Sequence, residues 1–82
     1  RKLIAPLRKK IRDAEKKVAD FQAQQDLLET ELAQPDLYQR QPERVVEINK
    51  QLAAVKDDIS TEEGAWLRLQ ADLESAEAPS PD

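Results

Sequence analysis

Apolar residues recur along this chain at alternating steps of three and four. The first run is Ile4, Leu7, Ile11, Ala14, Val18, Phe21, Gln25, Leu28 and Leu32, interrupted only by the amide of Gln25. The second is Val45, Ile48, Leu52, Val55, Ile59, Glu62, Trp66, Leu69, Leu73 and Ala76, interrupted only by the carboxylate of Glu62. Such spacing holds one narrow stripe on one side of a helix, and because it averages below 3.6 residues it wraps two stripes around each other with a left-handed supercoil. The runs predict two long helices of roughly 45 Å each at 1.5 Å per residue. The fold class is therefore all-α, a two-helix antiparallel coiled-coil hairpin over residues 1–77. A long parallel or antiparallel dimer satisfies the same stripes; the short connection between the runs favours a monomeric hairpin.

Prolines set the boundaries. Pro6 has the fixed φ and missing N–H that suit a first helical turn, so helix one is expected over about 6–33. Gln34-Pro35 ends it, because the residue before a proline is pushed out of helical ψ. Residues 34–41 form the connector, in which Pro35-Asp36-Leu37-Tyr38 makes a single turn and Leu37 or Tyr38 caps the open end of the seam. Pro42 restarts the chain as helix two, about 42–77, with Glu43 well placed against the positive end of its dipole. Ser60 followed by Glu63 has the form of a capping box, but the heptad phase runs unshifted from Ile59 to Trp66, so no break is expected there. Gly64 falls on the outward face, at a cost of about 1 kcal/mol relative to Ala. Residues 78–82, Ala-Pro-Ser-Pro-Asp, are expected to be a disordered tail.

Pairing positions whose numbers sum to about 80 puts every seam residue in a layer: Ala14 with Trp66, Phe21 with Ile59, Leu28 with Leu52. Large then meets small at Ala14 and Trp66. The same register sets Lys10 near Asp72, which is favourable, and Glu15 near Glu63, which is not. Polar seam residues commonly fix register at a cost in stability, so Glu62→Leu should raise the melting temperature, an unchanged or lowered value pointing to a partner such as Lys17.

Composition narrows the class further. With 82 residues, 37% charged and 4% aromatic side chains and a single Gly, the chain has the profile of one long-helix domain. It opens Arg1-Lys2-Leu3 without Met, as an excised domain would. No apolar stretch reaches the length of a membrane span or a signal peptide, so a soluble, cytoplasmic protein with no membrane partner is the default. Absence of Cys and His removes thiol, thiolate-metal and imidazole chemistry, and no Gly-rich phosphate loop is present. No catalytic residue, cofactor site or metal site is predicted for this segment; Asp57-Asp58 with Glu62 and Glu63 lacks the geometry of a Ca²⁺ loop.

Charge is unevenly placed. Residues 1–17 carry eight cations, Arg1, Lys2, Arg8, Lys9, Lys10, Arg12, Lys16 and Lys17, against Asp13 and Glu15, while the whole chain has a net charge of −4. On a helical wheel Arg1, Lys2, Arg8, Lys9, Arg12 and Lys16 share an outward face interrupted by Glu15. Such a row can follow a phosphate backbone, each neutralised phosphate releasing condensed counterions. Lys2, Arg8, Lys9, Arg12 and Lys16 are the candidate nucleic-acid-binding residues. The plainer alternative is a solvated helix face partly compensated by Asp72, Glu74 and Glu77 on the opposite helix. Trp66 at a seam position is read as core, and Tyr38 at the tip is freer to meet a partner or to cap the helix ends.

One stretch adds more than periodicity does. Leu32-Ala33-Gln34-Pro35-Asp36-Leu37-Tyr38, then Gln41-Pro42-Glu43-Arg44-Val45, then Trp66-Leu67, with the opening Ala5-Pro6-Leu7-Arg8-Lys9-Lys10-Ile11, resembles the C-terminal domain of ABC-F ATPases of the Uup-like and YheS-like kinds. The likeness spans about residues 4–74. Gln41 departs from it, since many relatives have Asp there, a better helix cap. The resemblance implies a cytoplasmic protein with two ATP-binding cassettes, no membrane domain and a C-terminal coiled-coil hairpin that contacts DNA or ribosomal RNA. ATP and Mg²⁺ would belong to the cassettes, outside this chain. Two readings stand at this point: a nucleic-acid-binding appendage, or a structural coiled coil that docks on a protein, including the parent ATPase.

Overall fold

A computed structural model describes residues 4–78 as three helices, α1 (Ile4–Leu32), α2 (Leu37–Arg40) and α3 (Pro42–Glu77). The two long helices lie side by side in a rod of 68 × 14 × 14 Å. Cross-helix partners run in opposite order, Arg8 with Glu77, Glu15 with Trp66, Lys17 with Glu62 and Glu31 with Arg44, so α1 and α3 are antiparallel. Helix α1 starts at Ile4, two residues before Pro6; a proline is harmless in the first turn, where backbone N–H groups have no intrahelical acceptor. Helix α3 continues through Ser60 and Gly64, and an added Cβ at Gly64 would meet nothing within 4 Å.

The reversal at the tip follows from its sequence. At the end of α1 the Ala33 N–H still reaches Glu29 O, but Gln34 N–H turns to Glu31 O, tightening the last turn before Pro35. Asp36 then adopts φ 65°, ψ 6°, a left-handed conformation in which Asp is better tolerated than most residues. Its carbonyl accepts from Gln39 and Arg40, closing the single turn of α2. Gln41 breaks that turn at φ −140°, ψ 67°, and Pro42 occupies the first turn of α3. Gln41 makes no side-chain cap; its backbone carbonyl accepts from Arg44 and Val45 instead.

Helix α2 fixes which residue closes the seam. Leu37 is 3% exposed and joins Leu28, Val45, Ile48, Leu52 and Val55 in one apolar cluster, whereas Tyr38 is 75% exposed. Phe21, Leu32 and Ile59 pack on the cluster's margin. Beside it the Arg44 guanidinium donates from Nε and Nη2 to both oxygens of Glu31, each at 2.5 Å, a two-pronged clamp joining the end of α1 to the start of α3. That hydrogen bonding holds the Glu31 carboxyl below its ordinary range and pushes the Arg44 guanidinium up.

At the other end Ala78 closes α3 in extended backbone, its N–H donating to Glu74 O, as expected of a residue preceding Pro79. The rest of the expected tail, residues 79–82, and the first three residues lie outside the described region. No helix among the described residues is long and apolar enough to cross a membrane.

Candidate nucleic-acid interface

Helical spacing brings Arg8, Lys9, Arg12 and Lys16 to the outer surface of α1, away from the buried Ile11 and Ala14. Lys2, the remaining candidate, lies outside the described residues. Arg8 to Lys16 spans about 12 Å of helix axis, the axial length of about three or four phosphates of one strand.

Each cation has its own degree of freedom. The Arg8 guanidinium donates to Glu77 at 2.6 Å across the helix pair. Lys9 reaches Asp13 at 3.0 Å and Lys16 reaches Asp20 at 2.9 Å, both one turn further along α1. The basic side chains of these three pairs remain 57%, 70% and 76% exposed, so water screens every one. Lysine N-terminal to its acid is also the weaker order for such a pair, worth at most about 0.2–0.5 kcal/mol. Arg12 is exposed and has no ion pair or side-chain hydrogen bond among the described residues. The row is therefore held by two intrahelical pairs and one pair across the helices, all of them solvent-screened.

Compensation thus comes mostly from α1 itself. Of the opposing carboxylates expected to serve, Glu77 does so, but Lys10 and Asp72 form no ion pair among the described residues: Lys10 lines an open groove with Leu69, and Asp72 lines another with Leu7. Two other cations among the described residues are engaged elsewhere. Lys17 pairs with the seam residue Glu62 at 3.6 Å, and Arg44 is held in the tip clamp. Gln25, the other polar seam residue, donates to Glu29 at 3.4 Å on its own helix.

Trp66 is less enclosed than a core seam residue was expected to be. Ala14 is buried as expected, but the indole is only partly covered and turns to one edge of the helix pair, where its Nε1–H donates to Glu15 Oε2 at 3.0 Å. There it lines a notch of about 250 Å³ with Glu15, Val18, Ala19, Gln22 and Glu63. The indole N–H needs an acceptor, and a fully enclosed site opposite Ala14 provides none. The sequence signal for this edge was the unfavourable juxtaposition of Glu15 and Glu63. The Glu31–Arg44 clamp had no such signal, because it joins positions off the seam.

Among the described residues no three acidic side chains converge to hold a metal ion. Residues 2–71 match the sequence profile of the ABC transporter C-terminal domain. Comparison with curated proteins and with solved structures yields no match.

Proposed function

This chain belongs to the ABC transporter C-terminal domain family, and from that premise we propose that it is the nucleic-acid-binding appendage of a cytoplasmic ABC-F-type ATPase. The family is a C-terminal domain and not an ATP-binding cassette, so the segment itself is not an enzyme. ATP and Mg²⁺ are assigned to cassettes outside these residues.

Arg8, Lys9, Arg12 and Lys16 hold phosphates of DNA or ribosomal RNA. The observation that carries this reading is the exposed row itself: four cations on one face of α1, three in solvent-screened pairs and Arg12 in none. The rest of the chain is acidic, with a net charge of −4 overall, which disfavours polyanion binding elsewhere.

Titration of labelled duplex DNA and of a structured ribosomal RNA fragment against the chain tests it. Four neutralised phosphates give a log–log salt slope of about −3.6 on duplex, a loss of about a hundredfold between 50 and 200 mM salt. The triple variant Lys9→Glu/Arg12→Glu/Lys16→Glu should abolish that binding while leaving the helical circular dichroism intact. Binding indifferent to salt and to the triple change would transfer the role to protein docking.

A further inference from the structure

The notch beside Trp66 lies on the same rod as the basic row, yet its chemistry is opposite. Val18, Ala19 and the indole give the notch an apolar lining, and Glu15 and Glu63 line it from the two helices. Neither carboxylate forms an ion pair among the described residues. Glu15 spends Oε2 on the indole N–H, and Glu63 makes no side-chain hydrogen bond among the described residues. By contrast Asp13, Asp20, Glu31, Glu62 and Glu77 each have a basic partner. Two carboxylates without an ion pair thus line one notch from the two helices, and a guest cation there is attracted by both.

We infer that this notch receives an arginine side chain of a protein partner. An apolar lining with an aromatic ring suits a methylene stem and a planar, weakly hydrated guanidinium, which aromatic surfaces attract. Glu63 and the free oxygen of Glu15 are acceptors for its forked donors. The same carboxylates repel a phosphate, so the occupant is not the polyanion assigned to Arg8, Lys9, Arg12 and Lys16. Of those cations, Arg8 and Lys16 are compensated by Glu77 and Asp20, whereas Arg12, one turn before Glu15 and without an ion pair among the described residues, repels the guest from one side, so Arg12→Gln should strengthen the response.

Because the chain has a single Trp, one indole N–H signal in a ¹⁵N-correlated NMR spectrum reports the notch directly. The intact chain is titrated with N-acetyl-arginine amide and, at matched ionic strength, with the uncharged isostere N-acetyl-citrulline amide. The expected result is a shift of the Trp66 indole signal and of the Glu15, Ala19 and Glu63 amides with arginine and not with citrulline. Glu15→Gln and Glu63→Gln should each weaken that response about two- to five-fold, the range of one exposed ion pair. Equal shifts with citrulline would overturn the inference, as would shifts spread evenly over Asp57, Asp58 and the other acids. Shifts that grow with protein concentration alone would also overturn it, making the occupant a second copy. None of these outcomes depends on whether the chain binds nucleic acid.

Discussion

In the half of the hairpin near the tip, Leu28, Leu37, Val45, Ile48, Leu52 and Val55 form one buried cluster; in the half near the chain ends the buried seam residues are Ile11 and Ala14. The heptad rule is the same in both. What differs is enclosure. At the tip α2 supplies a third element, Leu37 plugs the end of the seam, and the Glu31–Arg44 clamp closes one side. Toward the chain ends Ile4, Leu7, Val18, Leu69 and Leu73 are only half-buried, Ala14 and Ala76 are small, and Glu62 brings a carboxylate into the stripe. Two helices alone cannot shut water out of a seam, since each residue has neighbours on one side only. The candidate interface and the notch both lie in this open half.

The contrast is broken or sharpened most strongly by truncating the seam in each half. Ile48 is 0% exposed, and Ile48→Ala should cost about 3–4 kcal/mol in urea denaturation, whereas Leu73→Ala should cost about 1 kcal/mol. Equal losses would mean that the ends are as well packed as the tip. Leu37→Ala removes the plug and should cost about 2–3 kcal/mol, with amide exchange accelerated first in residues 45–52.

Smaller effects test the open half and the clamp. Glu62→Leu should raise the melting temperature by a few degrees, because a 3.6 Å pair with an exposed lysine is worth less than an apolar seam contact. A lowered value in a thermal melt would show that the Lys17–Glu62 pair holds the open half together. The Glu31 clamp gives the mildest signature. Since folding lowers the Glu31 pKa, the clamp contributes fully above the unfolded glutamate value of 4.5 and is lost as pH falls through the folded one. The midpoint of urea unfolding should therefore drop more between pH 5 and pH 3 in the parent chain than in Glu31→Gln.

Much of this architecture was legible because seam spacing is a property of the backbone repeat. Proline positions marked the reversal for the same reason, each removing a donor and fixing φ. Side-chain choices within a layer were less accessible. Leu37 and Tyr38 were equal candidates for the plug until the turn of α2 determined which of them faced the seam. Trp66 was placed opposite Ala14 by register alone, which cannot anticipate an indole N–H seeking Glu15. The basic row was visible as composition, and the structure puts its described members on one outer face. Their partners were sought on the opposite helix, although Lys9 and Lys16 find carboxylates four residues away on their own.

The antiparallel arrangement has an electrical consequence at the open end. Peptide dipoles give α1 a positive pole where it starts and α3 a negative pole where it stops, and these poles lie side by side. Neither helix neutralises its own pole: the first turn of α1 has no acid and the last turn of α3 has no base. Arg8, Lys9 and Lys10 follow one turn into α1, while Glu74 and Glu77 end α3, so side chains and backbone reinforce one another. The open end is thereby polarised across its width, positive on the α1 flank and negative on the α3 flank, and the Arg8–Glu77 pair lies along that field and draws the two helix ends together.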